Sequence, residues 1–445
     1  MKRIIGGLLL LTLIPSSTSK AQTKPDASLL AEINRIRAVD NHAHVMSVAS
    51  EGGKEDEEYD AIACGKLEFV SPPPMRLRPD NPIYTGAWRE LYGYRHGASM
   101  SEAHVRELLD TKRRVMREQG DNYPTWVLDK LNIETMLANR VSVGQGLVAP
   151  RFRWVGYGDP LMLPLSTRTL REQNSDRRFF YSQEEMLLKR DLAALKLGSL
   201  PSTLDLYLSR VVTPTLERQK REGAVALKFV AAYMRPLDFA DVPQSEASTV
   251  YARHVRGGEP PWGDYKKLQD FLFRYIAREA GRLGMVVHVH TGGGCGHFFN
   301  LSGARPLLLE SVLNDPSLRK TNFVLVHGGT PFVKETEFLI EKPNVYADFS
   351  AQTFLLTPQA LSRVLRDLLE YEPEKVLFGT DASPATPEVS WEESAWMTTK
   401  TAREALAIAL TGMMQDGDIT RERASELARM VMRENAIKLY GLKNN

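Results

Sequence analysis

Apolar residues along the chain fall into two alternating kinds of stretch: short runs with little interruption, and longer segments whose apolar positions recur with helical spacing. The short runs are Ile36 to Val39, Leu147 to Ala149 with Phe152 to Val155, Ala224 to Ala232, Met285 to Val289, Phe323 to Val326, Val345 to Phe349 and Val376 to Phe378. Most lack strict apolar–polar alternation, the pattern of strands covered on both faces. Between them, Asp264 is expected to cap a helix with Leu268, Phe271, Leu272, Tyr275 and Ile276 on one face, ended by Gly281 and Gly284. Thr357 and Pro358 start another that turns Leu361, Val364, Leu365, Leu368 and Leu369 inward. The tail after Asp381 reads as mostly helical and ends in Thr420 to Tyr440, before Gly441.

Strand alternating with helix predicts parallel strands joined by right-handed crossovers, with roughly six to eight such units along the chain. A closed (β/α) barrel and an open doubly wound sheet satisfy this pattern equally. No fixed-period repeat is present, which excludes solenoids and propellers. The stretch from Val45 to about Lys130 is too long for a strand-to-helix loop. It contains a helix from Ser101 to Gln119, striped by Val105, Leu108, Leu109, Val115 and Met116 and stopped by Gly120. It is read as a mostly helical cap, about 46–130, inserted after the first strand of a single domain spanning 22–445.

Composition narrows the partners. Of 445 residues, 43% are hydrophobic and 25% charged, enough to bury a large core and unlike disordered, collagenous or polytopic membrane chains. Lys and Arg (57) nearly balance Asp and Glu (55), and no basic block appears, so a small molecule rather than nucleic acid is the expected partner. Residues 1–21 have the layout of a signal peptide: Lys2 and Arg3, an apolar stretch from Ile4 to Ile14, Pro15, then Ser19-Lys20-Ala21. The stretch is too short to span a bilayer, which takes about 20 residues. Its removal takes the formal charge from +2 to −1 and predicts an exported, periplasmic or secreted protein without a stable membrane anchor. Oligomeric state is left open. Cys64 and Cys295 are too few for a disulfide framework. A bridge is permitted by the compartment but not demanded, and two thiols without catalytic duty are the more frequent outcome.

Five of the nine histidines sit within or at the ends of the apolar runs: His42, His44, His288, His290 and His327. On a strand, His42 and His44 would project from the same face about 7 Å apart, a spacing suited to one metal ion. Three later strands deliver His290 before Thr291-Gly292-Gly293-Gly294, His327 before Gly328-Gly329, and Asp381. The C-terminal ends of parallel strands form one functional face, so these groups are expected to converge there. A buried carboxylate at that face needs a cation, and the imidazole–carboxylate set suits zinc or a similar divalent ion. Tyr233 and Arg235, just beyond Lys228, are expected at the mouth, where they could grip a substrate carboxylate; the alternative for Arg235 is an ion pair with the cap. His96, His104, His254 and His297 read as solvated. Gly292 to Gly296 lacks the Lys-Ser/Thr sequel of a phosphate loop, and no Gly-x-Ser-x-Gly elbow occurs.

These segments resemble the amidohydrolase superfamily, specifically its amidohydrolase-related group of metal-dependent hydrolases and decarboxylases. The resemblance is carried by Asp40-Asn41-His42-Ala43-His44, Leu227-Lys228-Phe229-Val230-Ala231-Ala232-Tyr233, Val289-His290-Thr291-Gly292, Val326-His327-Gly328-Gly329, Asn344 to Ser350, Phe378-Gly379-Thr380-Asp381 and Glu434 to Gly441. Several are similar to the amidohydrolase-like half of fusion proteins that carry a glutamine-synthetase-like partner. The resemblance implies a (β/α)8 barrel, with metal ligands His42, His44, His290 and Asp381. It also implies that His327 binds a second metal or polarises substrate, and that Lys228 occupies the position of a lysine carboxylated in some members. One or two ions, most simply zinc, would be held. The expected activity is hydrolysis of an amide or ester by metal-activated water, with Asp381 as proton acceptor and His327 as oxyanion stabiliser. Non-oxidative decarboxylation of an aromatic or unsaturated acid and metal-dependent binding without turnover are the alternatives.

Overall fold

The computed structural model describes residues 23–48, 56–97 and 100–442. The signal-peptide expectation for residues 1–21 lies outside the described residues. Eight strands, β1 (Ala38–Ala43), β2 (Ile133–Asn139), β3 (Phe152–Tyr157), β4 (Ala224–Phe229), β5 (Val286–His290), β6 (Phe323–Val326), β7 (Val345–Asp348) and β8 (Val376–Leu377), pair in sequence order, every pair parallel. Backbone bonds from Asn41 N–H to the Phe378 carbonyl (2.9 Å) and from Asp381 N–H to the His42 carbonyl (2.7 Å), with a parallel bridge between Ala43 and Ala382, carry the end of β8 back to β1. The chain is therefore a (β/α)8 barrel, not an open sheet. The uninterrupted apolar runs follow from this: strand side chains face either the barrel interior or the surrounding helices, and nearly every strand residue is buried.

Two clusters position the site. The barrel interior is filled by Val39, Leu137, Val155, Ala226, Val286, Val324, Val326 and Leu377, one or two from most strands; Ala436 joins them, and Ile437, Leu439 and Tyr440 pack alongside. Between β1 and β2 lie helices Tyr84–Tyr92, Glu102–Gln119 and Tyr123–Lys130. Their apolar faces share a core with Trp391, Ala395, Trp396 and Met397 of the long helix Trp391–Asp416, and buried Lys112 pairs with buried Glu393 at 2.8 Å.

Several expectations hold at the level of the capping atom. Ser101 caps Glu102–Gln119 by accepting from His104 N–H, and Thr357 caps Pro358–Tyr371 by accepting from Ala360 N–H. Others need correction. The 264 helix starts earlier, at Trp262 after Pro261. Leu147 to Ala149 lies outside any strand, and the apolar pattern does not mark β2, because Glu134, Thr135 and Asn139 break its apolar run. Each of these is buried with a partner: Glu134 accepts from Arg433, Thr135 donates to the Pro150 carbonyl, and Asn139 meets His42. Cys64 and Cys295 are not two thiols but one disulfide, joining the segment after β1 to the glycine loop after β5.

Candidate metal centre

β1 slips register between Asp40 and Ala43, which turns the strand end that carries His42 and His44. Asp40 secures this end against β8: its Oδ2 accepts from Thr380 Oγ (2.6 Å), and its Oδ1 from the backbone N–H of Thr380 and His42. Beyond β6 and β8 the backbone turns left-handed at two residues that are not glycine, His327 (φ 68°) and Asp381 (φ 55°). Such conformations cost on the order of 1–3 kcal/mol each and cluster at functional sites. Gly292 answers a closer constraint: a Cβ there would lie 2.1 Å from the Thr330 carbonyl oxygen, where the β5 and β6 loops cross.

The strand ends meet at Asp381. Its Oδ1 lies 3.2 Å from His42 Nε2 and 3.5 Å from His44 Nε2, and His42, His327 and Asp381 offer ligand atoms all within 4.8 Å of one another. This trio differs from the expected quartet. His327 belongs to the tightest group, whereas His290 stands beside it, its ring 4.8 Å from that of His327 and its Nε2 bonded to the Gly293 carbonyl at 3.1 Å. His44 divides its ring between Asp381 and Asp60, whose Oδ2 lies 3.3 Å from Nδ1. Lys228, fully buried, reaches within 3.4 Å of His42 Nε2. The Asp381 side chain is 16% exposed and that of His44 12%, against none for His42, so approach is over Asp381 and His44.

Burial holds His42, His290 and His327 well below the ordinary imidazole pKa; the charge of Lys228 adds to this at each, and His290 adds more at His327. These rings are neutral at neutral pH, with lone pairs available. Burial pushes the Asp381 carboxyl well above the usual carboxylate range, against the pull of Lys228. It also lowers Lys228 to about 8, a drop limited chiefly by Asp381. Neutral imidazoles around a carboxylate disfavoured as an anion form a donor set that a divalent cation would satisfy. Asn139 Nδ2 donates to the Ala43 carbonyl at 3.2 Å and lies 2.9 Å from His42 Nδ1, which ties that ring to β2.

Arg235 does not reach the mouth. Its buried guanidinium lies over the Phe239 ring and bonds Asp270 at 2.6 Å and Gln269 at 3.2 Å, both on helix Trp262–Arg282, so it can grip neither substrate nor the segment after β1. Tyr233 does reach it, with its ring 4.6 Å from that of His290. His288 lies deeper and bonds Tyr440. The sequence reading missed Asn139, on the unrecognised β2, and Asp60, which Tyr157 OH anchors at 2.7 Å from a loop without pattern.

Comparison with known proteins agrees with this fold. The family model described as Amidohydrolase matches residues 216–442, just over half of the chain. Protein fluG of Emericella nidulans is 26% identical over 232 residues, which are 49% of this chain and 26% of that protein; the match thus spans about a quarter of the curated relative's length. A proposed metal-dependent hydrolase from Lactobacillus casei superposes with TM-score 0.61 at 15% identity, covering 95% of this chain and 100% of that one. Glucuronate isomerase from Caulobacter crescentus gives 0.63 at 14% identity, covering 96% and 97%. Identities this low establish a shared fold, not a shared reaction. With the family match extending from before β4 to the end of the last helix, the chain belongs to the amidohydrolase family.

Proposed function

We propose that this protein is an exported, metal-dependent hydrolase that cleaves an amide or ester bond of a small molecule with a metal-activated water. The carrying observation is the position of Asp381, beside His42 and His44 at the partly open edge of an otherwise buried centre. His42, His327 and Asp381, flanked by His44 and His290, are the residues that would hold a divalent ion, zinc by donor chemistry. Such an ion supplies a water acidified toward a pKa of about 7 and a Lewis acid for the scissile carbonyl.

The chain's own groups do the rest. Asp381 accepts the proton from the attacking water and returns it to the leaving group. His42 is oriented by Asn139, and the Asp60 carboxylate lies 3.3 Å from His44 Nδ1. Nδ1 of His327 faces Ser350 Oγ, whose own hydrogen goes to Asp348, so His327 bears its hydrogen on Nδ1 and its Nε2 is a bare lone pair. That nitrogen suits a ligand better than the oxyanion donor expected from the sequence. Tyr233, its ring 4.6 Å from that of His290, would contact substrate.

The engagement of Arg235 with Asp270 removes the cation expected to hold a substrate carboxylate, which favours hydrolysis over decarboxylation. A panel of amides, esters and carboxylic acids, read for released amine or alcohol against carbon dioxide, tests this. Carbon dioxide release alone would reject hydrolysis, and inertness of the zinc-loaded protein across the panel would favour a binding role. Export is supported by the Cys64–Cys295 bridge, which suits an oxidising compartment. Among the described residues no helix is long and apolar enough to cross a membrane. N-terminal sequencing of the mature protein should begin at Gln22.

A further inference from the structure

A continuous chain of hydrogen bonds, part-buried at Tyr440 and buried from Asn41 onward, connects the last described helix to the centre. Helix Asn435–Tyr440 packs Ala436 into the barrel interior and places the Tyr440 hydroxyl 2.6 Å from His288 Nε2. That hydroxyl donates to Asn41 Oδ1, in the residue preceding His42. Asn41 Nδ2 donates to Asp348 Oδ2 at 2.7 Å. The other oxygen of Asp348 accepts three bonds: from Ser350 Oγ (2.5 Å), Ser350 N–H (3.0 Å) and His327 N–H (2.9 Å). Ser350 Oγ in turn meets His327 Nδ1 at 2.9 Å.

Every donor along this path has one available direction. Both Asp348 oxygens receive hydrogens, so Asn41 presents its NH₂ to Asp348 and its carbonyl to Tyr440. Tyr440, having donated to Asn41, accepts from His288 Nε2–H; His288 Nδ1 is accordingly buried without a partner. At the other end Ser350 has donated to Asp348 and can only accept from His327. We infer that Tyr440 is a positioning residue of the metal centre, acting through Asn41, Asp348 and Ser350 to hold His327 with its hydrogen on Nδ1, which leaves Nε2 as the bare nitrogen able to take a ligand. The inference rests on the metal-centre reading for its consequence but not for its geometry. Groups that orient a metal-binding histidine commonly change metal affinity about 10–100-fold when removed.

The test uses Tyr440→Phe, which keeps the ring and its packing, and Ser350→Ala, with Ser350→Thr as the conservative control. Zinc affinity, measured by competition with a chromophoric chelator, should fall about tenfold in Tyr440→Phe and about 10–100-fold in Ser350→Ala, while Ser350→Thr retains it. The double variant should lose little more than Ser350→Ala alone, because both act through one path. In metal-free, ¹⁵N-histidine-labelled protein, His327 should be the Nδ1–H tautomer in the wild type and mixed in both variants. Wild-type affinity and tautomer in a folded Tyr440→Phe would overturn the inference, as would fully additive losses. Should Tyr440→Phe fail to fold, an Nε2–H tautomer of wild-type His327 would overturn it alone. A wild type that binds no zinc yet shows the Nδ1–H tautomer would reject the metal reading and leave the positioning path standing.

Discussion

Asp381, beyond the end of β8, sets its Oδ1 3.2 Å from Nε2 of His42 at the end of β1, so the two ends of the strand order meet in one ionisable contact. The barrel seam and the candidate centre are the same place. Asp381 N–H also bonds the His42 carbonyl there, so closure of the sheet and placement of the carboxylate are a single structural event.

Asp381→Asn keeps the shape and one potential ligand oxygen but removes the proton acceptor. Turnover should fall by about 10²–10⁴-fold, the usual worth of a positioned acid–base group, while bound zinc stays near the wild-type content. Steady-state rates with metal analysis check this, and turnover close to wild type would reject the assigned role.

Arg235→Met should cost stability rather than substrate affinity. It leaves buried Asp270 with Lys266 as its remaining cation, 2.8 Å away. The expected loss is about 3 kcal/mol in denaturant unfolding, with KM unchanged. A raised KM at unchanged stability would return Arg235 to the substrate.

Acid should expose His288. Burial lowers its pKa to about 3 in the folded protein, whereas an unfolded imidazole titrates near about 6.5. Between those values the unfolded chain holds the extra proton, so this group's share of stability is complete above the unfolded pKa and is lost as pH falls through that window. Asp40 and Asp159, raised to about 7 by burial, act in the opposite sense, so the comparison with His288→Asn isolates the effect. In metal-free protein, the wild type should lose more stability than His288→Asn between pH 6.5 and 4; equal losses would contradict the assignment.

Reduction of the Cys64–Cys295 bridge opens a loop with a sequence separation of 231. Loop-closure entropy gives an upper bound of about 5 kcal/mol for its contribution. Thermal unfolding with and without reductant should differ, and thiol titration of the unreduced, unfolded protein should find no thiol. Two titratable thiols would contradict the bridge.

Much of the fold was legible because parallel strands buried on both faces leave continuous apolar runs, and because Ser101 and Thr357 mark helix starts chemically. β2 was not legible, since Glu134, Thr135 and Asn139 look like surface residues until Arg433, Pro150 and His42 are placed against them. The convergence of His42, His327 and Asp381 followed from strand ends. The closer grouping of these three than of His44 and His290 did not, because it depends on the left-handed backbone at His327 and Asp381. The fate of Arg235 was hidden for a similar reason: Asp270, its partner, lies on a helix whose facing the sequence placed only for apolar residues.

The most direct measurement is the identity and stoichiometry of metal in the purified protein, repeated for His42→Ala and after chelation. The expected result is one divalent ion per chain, zinc foremost, lost from His42→Ala and on chelation together with hydrolysis, and restored to the wild type with its activity when zinc is added back. A metal-free protein of full activity, or an ion that remains in His42→Ala at wild-type affinity, would contradict the centre described above.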